Sequence, residues 1–331
     1  MVLRGPLDAY RSTGADPPFG DPARAHGTAM EGYYWRVVDA EARSVIMVLC
    51  GVCRGAGEPW AAVALAAHPG GFTRHALVAP AAGEPSCFGA VAGDILRGSA
   101  DGLRVRLGED AWVDLRLRSP LLWPGRVFGA LGPAQVVPGL GQYWHPVVLA
   151  ARADGEACLG GVRLRLDGAT AYAEKNWGPG FAGRWWWGQS SAFPEEGLGV
   201  AFAGGALPRL GATPTAVVLW HGGQVHRFAP PLARSQVALG ELRWRVRTRS
   251  ARYRLEIEGE AAGSCPHVLP VPVPGALKIE MRSEQLLAGR LALRLSRGRR
   301  TLIDSVSLLA GLEQGRPAGG ARRSPKAAPR P

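Results

Sequence analysis

The chain has 331 residues, of which 20% are charged and 47% hydrophobic, and its formal net charge is +12 at pH 7. This composition excludes an intrinsically disordered protein, and the length suffices for about two domains. The longest apolar run, residues 45–53, is too short to form a membrane-spanning helix. Residues 1–20 have no apolar stretch of the kind a secretory signal needs, so we expect no such signal.

Arginine supplies almost all of the positive charge, because the only lysines are Lys175, Lys278 and Lys326. This bias, with abundant Ala, Gly and Pro, is typical of a GC-rich bacterial coding sequence. In residues 242–249 the arginines alternate with apolar residues and Thr248, which favours a solvated face of a β-sheet. An anionic membrane surface or a nucleic acid is the alternative for that face, and we predict no nucleic-acid partner.

The five cysteines are an odd number, which together with the missing signal predicts reduced thiols in the cytoplasm. Cys50 and Cys53 have C-x-x-C spacing, but no second pair or histidine follows at zinc-finger spacing. We interpret them as strand residues, with a zinc or redox site as the alternative. The chain also has no glycine-rich phosphate loop, so the sequence predicts no metal, nucleotide or flavin cofactor.

Residues 1–25 are rich in Pro and Gly and predict a loose N-terminal lead-in. Short apolar or alternating segments then predict strands throughout the chain, at residues 37–52, 61–67, 72–78, 103–107, 112–118, 162–166, 199–203, 216–220, 224–228, 242–248, 253–257, 277–281 and 291–295. No window shows a sustained helical period, and the proline-rich residues 120–138 predict an irregular connection. Strands at this spacing indicate an all-β sandwich or barrel architecture.

The strand pattern suggests a first domain over residues 26–168 and a second over residues 169–314. Residues 315–331 contain Pro, Gly, Ala and basic side chains without an acidic one, which predicts a disordered basic tail.

Residues 172–189 concentrate four of the eleven tryptophans. On an extended strand Tyr172, Glu174 and Asn176 point to one face, while Lys175 and Trp177 point to the other. Glycine and proline at residues 178–180 break the strand, and the chain then returns as residues 185–189. The pattern predicts a carboxylate and an amide beside a wall of indole rings.

The motif Y-A-E-K-N-W-G-x-G-F followed by W-W-W-G-Q resembles the signature of the tocopherol cyclase family. Flanking segments fall where that family has similar ones, at residues 31–37, 142–146, 287–293 and 304–312. The resemblance covers roughly residues 25–314. It implies two lipocalin-like antiparallel β-barrels packed side by side, whose calyces suit long apolar molecules. Periodicity alone does not distinguish this fold from a pair of β-sandwiches.

The resemblance also implies an enzyme that closes a chromanol ring on a prenylated benzoquinol or a similar isoprenoid. Glu174 is then the acid that protonates the prenyl double bond, because apolar surroundings raise the pKa of a carboxyl. Tyr172 would hydrogen-bond the quinol oxygen or relay a proton, and Asn176 would orient the carboxyl. The alternative for Glu174 is a buried carboxylate neutralised by an arginine.

The indole faces of Trp177, Trp185 and Trp187 would stabilise the cation that protonation creates. Their alternative is a core that lines or joins the barrels. The predicted substrate-binding residues are Trp177, Trp185, Trp187, Asn176, Gln189, Tyr33, Trp35 and Tyr143.

Two further residues are candidates for proton transfer. Glu31 shares a predicted strand face with Tyr33 and Trp35, so it is a second candidate acid, with a structural salt bridge as the alternative. His145 lies between Trp144 and Pro146 and is a candidate base for the quinol hydroxyl, with hydrogen-bonded packing as the alternative.

Two rival functions share these features: a carrier that only binds an apolar metabolite, and an isoprenoid or carotenoid hydratase that delivers water to the cation. The substrate would be apolar, so we expect a cytoplasmic protein that contacts an anionic membrane peripherally. Arg297, Arg299 and Arg300 would support that contact, at about 1 kcal/mol per charge.

Overall fold

The computed structural model describes residues 27–316 except 56, 126–127 and 208–212, and also residues 6, 10, 13 and 15. The predicted lead-in therefore lies mostly outside the described residues, as does the predicted tail beyond residue 316. No helix in the described part combines the length and apolar character that a membrane crossing requires.

Two antiparallel sheets account for the regular structure between residues 30 and 315. The first sheet consists of β1 (Met30–Asp39), β2 (Ser44–Cys53), β3 (Trp60–His68), β4 (Phe72–Val78), β5 (Ala81–Gly83), β6 (Gly89–Ala92), β7 (Leu96–Ser99), β8 (Gly102–Gly108), β9 (Ala111–Leu122), β10 (Tyr143–Leu159) and β11 (Val162–Gly178). A short 3-10 helix, Gly132–Val136, interrupts the irregular connection between β9 and β10.

The second sheet consists of β12 (Trp185–Ser190), β13 (Gly199–Gly205), β14 (Thr215–His221), β15 (Gln224–Phe228), β16 (Ala233–Gly240), β17 (Arg243–Ser250), β18 (Arg254–Glu260), β19 (His267–Pro272), β20 (Ile279–Arg297) and β21 (Arg300–Gly315). β19 lies off the main path of this sheet and pairs with β20.

Each sheet curls into a nearly closed barrel, which confirms the predicted all-β fold. The first sheet has the order β4-β3-β2-β1-β11-β10-β9-β8-β7-β6-β5, and the second β15-β14-β13-β12-β21-β20-β18-β17-β16. Strands near opposite ends of each order also touch, because β5 contacts β2 and β3, and β16 contacts β14. The chain passes from one barrel to the other between Gly178 and Trp185.

The predicted domain division, between residues 168 and 169, falls inside β11, all of which belongs to the first sheet. Gly168, at this division, has a positive φ of 75°, a conformation that is common in turns. In the fold it lies within the β10–β11 hairpin, next to an irregularity in the strand register.

Two predicted strands, residues 277–281 and 291–295, correspond to the single 19-residue strand β20, which begins at Ile279. Register shifts around Gly289 separate the two halves, so the strand bends without ending. The bend allows β20 to pair with β19 along its first half and with β18 along its second half.

Apolar side chains fill the interior of both barrels. Trp35, Val48 and Leu115 belong to the core of the first barrel, and Trp186 and Phe202 to that of the second. A third apolar cluster joins the two sheets and includes Tyr34, Trp187 and Trp220, among others. The interiors are thus packed cores, and the surface between the barrels is a core as well.

Arg36 of β1 is buried in this interface and bonds to groups of the second barrel. Its guanidinium donates to the carbonyl oxygens of Leu287, at 2.8 Å, and Leu309, and to Oε1 of Gln189 at 3.1 Å. Burial lowers its pKa to about 10. These bonds tie the barrels together, because separating them would remove three acceptors from one buried cation.

Exposed arginines form the expected sheet face on β17, where Arg245 pairs with Glu258 and Arg247 with Glu256. This confirms the alternation predicted for residues 242–249. Cys50 and Cys53 are free and buried in β2.

Candidate active site between the two barrels

The predicted central motif spans the passage from the first barrel to the second. Tyr172, Glu174 and Asn176 lie near the end of β11, and Trp185 and Trp187 lie on β12. The alternation of faces follows the prediction, since Glu174 faces the second barrel while Lys175 bonds to Glu31 on the other side of the strand. The motif therefore places a carboxyl of one barrel against an indole of the other.

Three neutral donors bind the carboxyl of Glu174, all at Oε2. They are the Tyr172 hydroxyl at 2.6 Å, Nε1 of Trp144 at 2.7 Å and Nε1 of Trp187 at 2.9 Å. Glu174 is only 4% exposed, and among its described contacts there is no arginine or lysine. The predicted alternative, a carboxylate neutralised by an arginine, is therefore wrong.

Burial raises the pKa of Glu174 to about 7, against the opposing effect of the three hydrogen bonds. Desolvation dominates because no positive charge from the described residues compensates a carboxylate in this position. A neutral carboxyl with its proton on Oε1 keeps all three donors at Oε2. Glu174 is thus able to hold a transferable proton near neutral pH.

Glu174 lines a cavity of about 860 Å³ between the barrels. This volume lies in the range of pockets that enclose small organic ligands. The first barrel and its irregular connection contribute Tyr33, Tyr34, Leu140, Gln142, Trp144 and Asn176. Phe181 comes from the passage between the barrels, and the second barrel contributes Trp185, Trp186, Trp187, Pro270, Val271 and Glu313. Aromatic and aliphatic groups thus form most of the wall, with a few carboxyl and amide groups among them.

The three consecutive tryptophans of β12 all line the cavity but differ in what else they contact. Trp186 also belongs to the core of the second barrel, and its indole N–H donates to Oγ1 of Thr215 at 3.1 Å. The Trp185 ring lies directly on Gly315, where an added Cβ would come within 2.0 Å of the indole. The absence of a side chain at this position is therefore required for the observed position of Trp185.

Glu31, the second candidate acid, is held in ion pairs away from Glu174. Its Oε2 contacts Nζ of Lys175 at 3.1 Å and accepts from the Tyr33 hydroxyl at 2.9 Å, and its Oε1 contacts Arg54. Glu31 does not line the cavity. The structure thus favours the salt bridge named as its alternative.

His145, the candidate base, is also outside the cavity. Its Nδ1 accepts from the backbone N–H of Ala130 at 3.4 Å, and its ring packs edge-on against Trp123. Burial lowers the pKa of His145 to about 3. The alternative, hydrogen-bonded packing, agrees with this position.

The predicted substrate-binding residues divide between the cavity and the cores. Tyr33, Asn176, Trp185 and Trp187 line the cavity. The others pack elsewhere: Trp177 stacks on Tyr143 with ring centroids 5.9 Å apart, Trp35 donates to the carbonyl of Ser99, and Gln189 accepts from Arg36. Tyr172 does not line the cavity. Its hydroxyl donates to Glu174, which does, and its ring stacks on Trp220.

Sequence reasoning missed Trp144, Tyr34 and Glu313. The sequence could have indicated Trp144, because side chains alternate along β10 and Trp144 therefore points to the face opposite that of Tyr143 and His145. Its strand partner is Asn176, so it shares a face with Glu174. Tyr34 and Glu313 had no such signal, since the pairing of distant strands brings them to the cavity.

Among the described residues, no three His, Cys, Asp or Glu side chains come together in a way that would hold a metal ion.

The indole donors to Glu174 lead to a prediction for its acidity. Replacing Trp187 with Phe removes one N–H donor and keeps an aromatic ring, so the pKa of Glu174 should rise above its value in the parent. A hydrogen bond to a charged group contributes about 1.5–3 kcal/mol. Titration of the carboxyl by ¹³C NMR would measure the change.

Trp186→Phe is the matched control, because the N–H of Trp186 binds Thr215. It should leave the pKa of Glu174 unchanged. Equal pKa values in both variants and the parent would show that Trp187 does not stabilise the ionised carboxyl.

The fold and the cavity define a class of protein: two β-barrels that enclose a buried acid between them. Residues 139–316, more than half of the chain, match the family described as "Tocopherol cyclase-like", so the chain belongs to the tocopherol cyclase-like family. The matched segment includes the central motif of residues 172–189.

Two plant relatives are similar to part of the chain. It is 27% identical over 135 residues to "Tocopherol cyclase, chloroplastic" of Zea mays, covering 38% of this chain and 28% of that protein. It is 28% identical over 99 residues to "Probable tocopherol cyclase, chloroplastic" of Oryza sativa subsp. japonica, covering 28% of this chain and 21% of that protein. The aligned part thus spans less than a third of either relative.

Solved structures share the fold over most of the chain. CghA with Sch210972 superposes with a TM-score of 0.62 at 11% identity, covering 90% of this chain and 91% of that chain. Kievitone hydratase from Nectria haematococca gives a TM-score of 0.54 at 8% identity, covering 91% of each chain. At these identities the likeness establishes the two-barrel fold alone.

Proposed function

We propose that the protein is a cyclase that closes a chromanol ring on a prenylated benzoquinol or a similar isoprenoid, with Glu174 as the proton donor. One observation carries this proposal: a carboxyl with a pKa of about 7 lies in an aromatic cavity, and its hydrogen-bond partners among the described residues are all neutral. Membership of the tocopherol cyclase-like family supports the choice of substrate class.

The proposed reaction begins with proton transfer from Glu174 to the less substituted carbon of the prenyl double bond. A tertiary cation remains, and the quinol oxygen attacks it and loses its proton. A C–H and a C–O bond form, while the π bond and an O–H bond break. No electrons enter or leave, so we propose an isomerisation that proceeds without a cofactor.

The walls of the cavity suit the cationic stage of this reaction. The indoles of Trp144, Trp185 and Trp187 line the cavity that contains Glu174, and the face of an indole attracts a cation by about 0.5–2 kcal/mol. The apolar groups around them exclude water, which would otherwise capture the cation. Tyr172 and Trp144 hold the carboxyl in place, so the acid is oriented before the substrate binds.

Incubation of the purified protein with a phytylated benzoquinol tests the proposal. The expected product is a chromanol with the mass of the substrate and a different retention time. Substrate that is bound tightly and recovered unchanged would instead indicate a carrier. A product heavier by one water molecule would indicate a hydratase, in which water captures the cation.

The pH dependence of the reaction follows from the acidity of Glu174. The acid must carry its proton in the free enzyme, so kcat/KM should fall as the pH rises through about 7, the pKa of this carboxyl. The decline should approach tenfold for each further pH unit. Initial rates from pH 5 to pH 9 would measure this. A rate that continues to increase above pH 7 would contradict a role for Glu174 as the acid.

A further inference from the structure

A second carboxyl, that of Glu313, lines the same cavity as Glu174. Glu313 lies on β21 directly opposite Trp187 of β12. Its Oε1 accepts from Nε1 of Trp185 at 2.6 Å, and its Oε2 accepts from Nε2 of Gln285 at 3.0 Å. Each carboxyl oxygen therefore has a donor from the protein, and the residue keeps some exposure.

Tyr34 and Trp187 connect the surroundings of the two carboxyls. The Tyr34 hydroxyl donates to Oε1 of Gln285 at 3.3 Å, and Gln285 in turn donates to Glu313. The Tyr34 ring packs edge-on against Trp187 with centroids 5.0 Å apart, and Trp187 donates to Glu174. The two acids thus belong to one polar and aromatic wall.

We propose that Glu313 is the base that accepts the hydroxyl proton when the quinol oxygen attacks the cation. This inference rests on the proposed cyclisation. Glu174 delivers one proton to carbon, and Glu313 takes one proton from oxygen, so the substrate keeps its composition. The product state holds an ionised Glu174 and a protonated Glu313, and exchange of protons with solvent restores both. With two separate groups, one carboxyl can act at the carbon that gains a proton and the other at the oxygen that loses one.

The surroundings of the two carboxyls differ in a way that suits these roles. Donors to both oxygens of Glu313 satisfy an ionised carboxylate, whereas the donors to Glu174 all bind one oxygen and leave the other for a proton. Burial raises the pKa of Glu313, which makes it a stronger base than an exposed carboxylate.

The negative charge of an ionised Glu313 also raises the pKa of Glu174. The base thereby adds to the larger effect of burial in favouring the protonated acid, as in other sites where two carboxyls share a cavity. The titratable groups on which the charge of Glu313 acts are Tyr34 on β1 and Glu174 on β11. On β20, Glu284 precedes Gln285, the strand partner of Glu313, and it forms an ion pair with Arg316.

The test is the Glu313→Gln variant, with cyclisation of the phytylated benzoquinol measured as a function of pH. In the parent we expect a bell-shaped profile, with an acidic limb from Glu313 and an alkaline limb from Glu174. In the variant kcat should fall by about 10²–10⁴-fold, the effect expected for loss of a general base, while KM changes little. The acidic limb should disappear, and the alkaline limb should remain but move to lower pH, because the negative charge of Glu313 no longer raises the pKa of Glu174.

Glu284→Gln is the matched control. Glu284 precedes Gln285 on the same strand, pairs with Arg316 at 2.6 Å and does not line the cavity. The control should keep the bell shape and the parent kcat. Glu313→Asp, which retains a carboxylate, should recover part of the rate and the acidic limb. If the glutamine variant does not fold, the Glu313→Asp variant is compared with the parent in its place.

The results separate the two proposals. A parent enzyme that forms no chromanol overturns the proposed function and the role of Glu313 with it. A parent that forms chromanol, combined with a folded Glu313→Gln variant that keeps either the full kcat or the acidic limb, overturns the role of Glu313 alone.

Discussion

Replacing Glu174 with Gln is expected to lower the rate of cyclisation by about 10²–10⁴-fold, the usual effect of removing a general acid. Glutamine retains the volume of the side chain and an oxygen that accepts from Tyr172, Trp144 and Trp187, but it has no acidic proton. Single-turnover kinetics with the prenylated quinol would measure the loss. Substrate affinity should change little, because burial of apolar surface dominates it.

The same variant should remain stable, because in the part of the chain that the structure describes Glu174 has no charged partner to lose. Its pKa in the folded protein is about 7, above the ordinary value of 4.5. The folded state therefore binds the proton more tightly, and the stability that this provides is lost as the pH rises from about 4.5 through 7. The glutamine side chain does not titrate, so the variant should gain stability relative to the parent over that interval.

Thermal unfolding of both proteins at pH 5 and pH 8 tests this expectation. Full activity together with a strongly lowered melting temperature would show that the carboxyl is structural. Activity would then have to come from another acid.

The Glu31→Gln variant is expected to show the opposite behaviour, with a large loss of stability. Glu31 and Lys175 are fully buried, so the substitution leaves the ammonium group without its carboxylate. Breaking a buried ion pair from one side costs about 3–5 kcal/mol. Denaturant unfolding would measure this, and the activity of the folded fraction should stay near that of the parent because Glu31 lies outside the cavity.

The loss of stability in the Glu31→Gln variant should become smaller at high pH. Burial lowers the pKa of Lys175 to about 8, and Glu31 opposes this effect, so the pKa falls further without Glu31. The variant releases the lysine proton in the folded state at a lower pH than the parent does. The difference in stability therefore narrows as the pH rises from the lower pKa of the variant to about 8, and it stays constant once the parent has lost the proton as well.

The control for this variant is Glu258→Gln, which removes one partner of an exposed pair with Arg245. It should cost no more than about 1 kcal/mol. A loss of similar size in both variants would mean that the Glu31–Lys175 pair contributes no more than a surface pair.

Strand alternation accounts for the parts of the site that the sequence predicted. Because successive side chains on a strand point to opposite faces, Glu174 and Lys175 had to separate, and so did Trp186 and Trp187. The same rule allows Trp144 to be grouped with Glu174 once β10 is paired with β11. The motif therefore predicted one wall of the cavity without any knowledge of the register between distant strands.

The opposite wall depends on that register. Glu313 reaches the cavity because β21 pairs with β12. β21 also pairs with β20, and the register between these two strands shifts at several bulges. Alternation also gives no sign of which face lies inside a barrel when both faces are buried. β1 is such a strand, with Trp35 in the first barrel and Tyr34 in the interface. The sequence therefore did not predict that the cavity lies between the barrels instead of within one.

Because the barrel interiors are filled and the cavity lies between them, different residues determine the stability of the barrels and the size of the cavity. Side chains such as Val48 and Phe202 hold each barrel together, whereas the size of the cavity depends on residues where the barrels meet. A change at Leu140 or Val271 alters the space for a substrate without opening a hole in either core. The architecture thus allows the choice of substrate to diverge while the folding of each half and the position of the acid stay the same.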